Sequence, residues 1–146
     1  MTAKADFTEE EWNVVREGPA AAGMIVLMAH KGGSFRETWA LAKTYAEAQK
    51  QPGSSRLIDE LVSEKPDVER YHSAEEQEQH GLAGIREAVG LVEQKATPDE
   101  VEAYRTFVLA VATRVAKAHE EEGEPISPAE QAAIEKVASS LGTRAP

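Results

Sequence analysis

The chain has 146 residues, no cysteine, and 26 acidic against 16 basic side chains, for a net charge of −10 at pH 7. A chain of this length buries enough apolar surface to fold without a disulfide or metal staple, and the missing thiols exclude a cysteine nucleophile, a thiolate zinc site and an iron–sulfur cluster. Acidity of this order is repelled by a phosphate backbone and by an anionic bilayer, so neither nucleic acid nor membrane is an expected partner.

In chain order, helix starts are marked by one repeated device, Ser or Thr followed three residues later by Glu. In this capping box the hydroxyl accepts a backbone N–H of the first turn and the carboxylate reaches back to the cap's own N–H. Thr8/Glu11 opens a first helix over about Glu9–Glu17, with Phe7 and Trp12 as a hydrophobic staple, and Gly18-Pro19 is expected to end it. A second, nearly all-apolar helix is expected over Pro19–His30, stopped by Gly32-Gly33, and its even apolarity predicts a buried central position. Ser34/Glu37 opens a third over Phe35–Gln49, with Phe35, Trp39, Ala42, Tyr45 and Ala46 as its apolar stripe. A turn at Gln51–Ser54 leads to a short fourth helix, Arg56–Ser63, burying Leu57, Ile58, Leu61 and Val62. After a connector from Pro66 to His72, Ser73/Glu76 opens a fifth over Ala74–Gln94, with Leu82, Ile85, Val89 and Val92 inward. Thr97/Glu100 opens a sixth over Pro98–Glu121, and Ser127/Glu130 a seventh over Pro128–Leu141 with Gly142 as its terminator; Pro98 and Pro128 sit at the first helical position.

No segment sustains period-two alternation, so no sheet is expected. The fold class predicted is all-α: one domain over 1–146, a bundle of six to seven helices with the helix at Pro19–His30 packed by the third, sixth and seventh, and residues 1–6 and 143–146 loosely held. The longest apolar run, Ala20–Ala29, is ten residues, half of the ~20 that span a bilayer. No apolar leader follows the N-terminal lysine, and a cytoplasmic location is expected.

The chain also carries a weak internal helix-turn-helix echo. A long helix ends in Ala29-His30, followed by a Gly-containing turn and a capped helix; another ends in Ala118-His119, followed by Gly123 and a capped helix. Two such hairpins are expected to pack face to face around one core. The segment VAKAHEEEGEPISPAEQAAIEKVASSLG resembles the C-terminal unit of the tellurite-resistance TerB-like family, a helix ending in Ala-Asp-Gly, a Ser-x-x-Glu cap and a last helix ending in Leu-Gly. LMAHKGGSFRETWALA is similar to the same unit placed earlier, so the resemblance spans Val14–Ala46 and Val101–Gly142. It implies an all-helical fold with a pseudo-repeat and an acidic, metal-associated surface, but no enzymatic activity. The family's aspartates are replaced here by His30 and His119, which turns any metal expectation from calcium or magnesium toward a divalent transition metal.

Candidate chemistry follows from these residues. His30 and His119 occupy equivalent places in the echo, and with Glu37 or Glu130 they would make a histidine–carboxylate metal site. The competing reading makes both imidazoles helix C-terminal cations and both glutamates capping partners. Glu69 and His72 have the Glu-x-x-His spacing of di-iron bundles, but no second copy of the motif occurs. Glu76 and His80, four apart on one helix, are placed to share a metal or proton or to stand as a solvated helix start. Glu120–Glu124 is acidic but lacks the ligand alternation of an EF-hand loop. No phosphate loop or nucleophile elbow is present. Residues 59–102 hold thirteen acids and four bases, nearly all of the net charge, which reads as a solubilising face or as one that steers a basic partner. The expected function is therefore a non-enzymatic helical protein-interaction module in a stress-related setting, needing no cofactor, with a protein partner meeting the 59–102 region. The alternative is a metal- or small-ligand-binding protein using His30 and His119.

Overall fold

The computed structural model describes residues 4–29, 35–50, 55–64, 71, 73–121 and 126–142, with the side chains of all of these except 35–39 and 119–121. Among the described residues every regular element is helical. A 3-10 turn at Lys4–Asp6 precedes α1 (Glu9–Ala29), α2 (Phe35–Gln49), α3 (Arg56–Val62), α4 (Ala74–Lys95), α5 (Pro98–Glu121) and α6 (Pro128–Leu141). The capping devices behave as their spacing predicts. Reciprocal boxes form at Thr8/Glu11, Thr97/Glu100 and Ser127/Glu130, with backbone-to-side-chain distances of 2.9–3.3 Å. Ser73 accepts the Glu76 N–H at 3.1 Å. Ser34 lies outside the described residues, and the Glu37 side chain is not among those described. Ser55 caps α3 by accepting from the Ile58 N–H. Gly142, at φ +75°, is the one described residue with positive φ, and it closes α6 through bonds to the Ala138 and Ser139 carbonyls.

The sequence expectation fails at Gly18-Pro19. The two helices expected on either side of this pair are one 21-residue helix, with Pro19 in its interior. A mid-helix proline has no N–H to give the carbonyl four residues earlier, here that of Val15, and its ring crowds that carbonyl. The hydroxyl of Tyr104 on α5 supplies the missing donor, reaching the Val15 carbonyl at 2.7 Å. Gly18 makes room for it: a Cβ at that position would lie 2.1 Å from the Tyr104 oxygen. Glycine and proline together form a notch for one phenol, and the helix continues through it.

Beyond the notch α1 is the buried centre, with Ala20, Ala22, Met24, Val26 and Leu27 all at most 4% exposed. Its most extensive partner is α4, which the expected packing left out; of the expected partners, the third, sixth and seventh predicted helices, α5 comes next, and α6 and α2 touch α1 less extensively. Glycines set both approaches. Ile25 presses onto Gly81 of α4, where a Cβ would meet its side chain at 2.7 Å. Gly23 lies between Leu41 of α2 and Val111 of α5, each 3.1 Å from where a Cβ would be. Lys95 pairs with Glu11 at 2.7 Å, so α1 and α4 run antiparallel, with Gly81 facing Ile25 further along. The crossed contacts expected of two opposed hairpins are present: α2 packs on α5, and α6 packs on α1.

On α2 the apolar stripe is displaced from its predicted register. Ala42 and Ala46 are exposed, and the inward face is Ala40, Leu41, Thr44 and Tyr45. Alanine marks a face too weakly to fix a helix's rotation; Leu41 and Tyr45, four apart, bury far more area and decide it. Tyr45 meets Phe107 edge to face with ring centroids 5.4 Å apart.

Replacing Tyr104 by Phe leaves the Val15 carbonyl buried without a donor and should cost about 1–3 kcal/mol in urea unfolding. The same change made on a Pro19→Ala background should cost about 1 kcal/mol less, because the restored N–H at 19 can donate to that carbonyl. Strict additivity of the two substitutions would refute the notch.

Candidate functional site

A partly enclosed concavity lies along the α1/α4 crossing. Val14, Glu17, Gly18 and Ala21 follow helical spacing on one wall, and Gln77, His80, Gly81, Gly84 and Glu87 on the other. It encloses about 80 Å³, far less than the ~300 Å³ or more of a drug-sized pocket. At one end the Tyr71 ring stacks on the His80 imidazole, centroids 4.4 Å apart and planes within 4°. Gln77, 2% exposed, fixes that stack by accepting the Tyr71 N–H at 3.0 Å. Two helical turns further along α4, about 10 Å by helical rise, Glu87 lines the cleft together with Glu17 of α1. Gly84 sits between these ends; a Cβ there meets nothing within 4 Å.

Around the cleft, the acids of 59–102 do not form one uninterrupted face. Glu64 pairs with Lys4 at 3.0 Å, Glu93 and Glu102 share Arg105 at 3.5 and 3.7 Å, and Glu78 holds Lys136 at 2.6 Å. Glu100 is buried in its capping box. What faces solvent without a cation at ion-pair distance, among the described residues, is Glu75, Glu76 and Glu87 on α4 and Asp99 at the start of α5. Bases from outside the block, Lys4, Arg105 and Lys136, divide what is one block in the sequence.

A second, more open groove is lined by Lys4, Trp12, Asn13, Arg16, Glu60 and Glu64. The Trp12 indole donates to Glu64 at 2.8 Å and the Lys4 ammonium donates to the same carboxylate at 3.0 Å. Partial burial pushes the Glu64 carboxyl up, but these donors and the charges of Lys4 and Arg16 outweigh it and hold the group below its ordinary 4.5. In the core, burial drives the phenols of Tyr45 and Tyr104 well above their ordinary 10, so both stay protonated near neutrality.

The residues singled out from the sequence fall as follows. His30 lies outside the described residues. Glu37 is in α2 and His119 near the end of α5, but their side chains are not among those described. Glu130 is fully buried, and its carboxylate accepts the Ser127 N–H at 3.0 Å. Glu69 and His72 are outside the described residues. His80 faces Tyr71, and Glu76 is exposed one turn earlier. Among the described residues no three histidine, aspartate or glutamate side chains gather as a metal ion requires. The α1/α4 cleft was not anticipated. Its only sequence signal is Gly81 and Gly84, three apart on one helix face directly after His80. No protein-family model, curated protein or solved structure is significantly similar to the chain. The resemblance to TerB-like proteins therefore rests on the two quoted segments alone.

Because the Glu64 pKa is depressed by folding, its contribution to stability is complete above pH 4.5, the unfolded value, and is lost as pH falls through the folded value. Acid titration followed by Trp12 emission should show this step below pH 4.5, and Glu64→Gln should flatten it. An unchanged profile in the variant would contradict the assignment.

Proposed function

We propose that the chain is a non-enzymatic helical module that binds a basic protein partner through the acidic 59–102 region, with the outer face of α4 as the contact surface. One observation carries this reading. Lys4, Lys95, Arg105, Arg114 and Lys136 are each taken up by carboxylates of this chain, while Glu75, Glu76 and Glu87 on α4 are left without a cation at ion-pair distance among the described residues. In a chain of net charge −10, such carboxylates project a field that draws in and orients a cationic surface, with its main effect on association rate and salt dependence. The small volume of the α1/α4 cleft favours recognition of one side chain over turnover of a substrate.

The test is fluorescence anisotropy of a labelled arginine-glycine repeat peptide with the full chain. Affinity should fall steadily with rising salt. Reversing Glu75 and Glu76 together to Lys should weaken binding about tenfold, and reversing Glu9 and Glu10 at the start of α1, the same change in net charge, should have a much smaller effect. Binding indifferent to salt, or equal effects of the two reversals, would overturn the proposal.

A further inference from the structure

We infer that the outer face of α5 is a contact surface for a second copy of this chain, laid against it antiparallel about a twofold axis. Along that face, from Asp99 to Lys117, positions recur at alternating steps of four and three: Asp99, Ala103, Thr106, Ala110, Thr113 and Lys117. This is the spacing of an interhelical seam, about 27 Å long by helical rise. None of the six is buried. An open groove runs along each side. One, of about 510 Å³, has an apolar floor of Ala48 from α2, Ile58 from α3 and Phe107. The other, of about 330 Å³, is lined by Leu109 with Arg105 and Arg114. Glu102, Thr106 and Ala110 line both, so this part of α5 is a ridge between two grooves, the relief by which helices pack on helices.

The order of charges along the face selects the occupant. Turned end for end, the face matches itself: Asp99 meets Lys117, Ala103 meets Thr113 and Thr106 meets Ala110, each pairing occurring twice about the axis. A parallel arrangement would set Asp99 on Asp99 and Lys117 on Lys117. Asp99 and Lys117 are both exposed, and neither has an ion-pair partner among the described residues. Arg114 already holds Glu47, and Glu102 touches Arg105, so neither counts toward the match. The positions between lose little on being covered. Ala103 and Ala110 have no polar side-chain atom, and the Thr113 hydroxyl donates to the Leu109 carbonyl of its own helix at 2.9 Å. Leu109, half-buried on one flank near the axis, comes to face its own copy.

Other occupants fit less well. A uniformly basic or uniformly acidic partner matches one end of the face and opposes the other. The chain as a whole carries −10, yet here Asp99 and Glu102 stand with Arg105, Arg114 and Lys117. Two like-charged copies approach most easily where the charge is balanced. Glu75, Glu76 and Glu87 of α4 take no part, so the contact is independent of the acidic face.

Sedimentation velocity of the full chain over a concentration series should show a monomer–dimer equilibrium. Thr106→Glu places a carboxylate in the seam from an exposed position and should weaken the dimer about tenfold or more, with helical circular dichroism unchanged. Asp99→Lys and Lys117→Asp should each weaken it about fivefold, and the two together in one chain should restore it, because opposite charges meet again. The chain has no cysteine of its own, so register can be read by crosslinking. Under mild oxidation a mixture of Thr106→Cys and Ala110→Cys chains should form mixed disulfide dimers faster than either variant dimerises alone. A chain monomeric at every concentration, a dimer indifferent to Thr106→Glu, no restoration in the double variant, or a mixture that crosslinks no faster than its components would each overturn the inference.

Discussion

The hydrogen bond from the Tyr104 hydroxyl to the Val15 carbonyl is the contact on which the arrangement of this bundle turns. A proline in the middle of a helix leaves one carbonyl without its donor, and in a buried helix water cannot supply a replacement. Here the replacement comes from another helix, 89 residues away in sequence, so the continuity of α1 and the docking of α5 become one event. Gly18 is the steric condition for it, because a methyl group there would occupy the place of the phenol oxygen. The unbroken α1 is then long enough to reach α4 along most of its length while also touching α2, α5 and α6.

The same logic of close approach explains the rest of the central packing. Gly23 and Gly81 let Leu41, Val111 and Ile25 come nearer to helix backbone than any larger residue would permit. Where α1 and α4 meet at Gly81 they are in contact; beside Gly84 they leave a narrow cleft lined by two carboxylates and a stacked tyrosine–histidine pair. The cleft is thus a by-product of two glycines one turn apart, one filled by a neighbour and one not. Its negative charge belongs to the same distribution that leaves Glu75, Glu76 and Glu87 of α4 without a cation at ion-pair distance among the described residues, while Lys95, Arg114, Lys4, Lys136 and Arg105 hold Glu11, Glu47, Glu64, Glu78 and Glu93.

Legibility in the sequence followed the range of the forces involved. Cap positions were readable because a capping box is complete within four residues, and the starts of α1, α4, α5 and α6 fall where Thr8, Ser73, Thr97 and Ser127 stand; the Ser55 cap of α3, which lacks the Glu that marks the others, came only with the structure. The break expected at Gly18-Pro19 was the correct local inference and the wrong structural one, because Tyr104, the group that rescues the helix, is remote in sequence. The predicted stripe of α2 holds at Tyr45 but takes in the exposed Ala42 and Ala46 and leaves out Leu41, because small alanines mark a face too weakly. The acidic block between 59 and 102 was visible as a block, but its partition into ion-paired and open carboxylates was not, since the pairing bases lie at Lys4, Arg105 and Lys136.

By itself, then, the sequence determined an all-helical chain without thiol chemistry, the starts of most of its helices and the surplus of negative charge. These depend on composition and on hydrogen bonds closed within a single turn. Tertiary structure alone decided that two expected helices are one, that α4 outranks even the expected α5 as a partner of α1, and that Gly84 opens a cleft while Gly81 is filled. Each of those outcomes is settled by an atom from a distant segment entering, or failing to enter, the space beside a glycine or a proline. No pattern along the chain encodes which distant atom that will be.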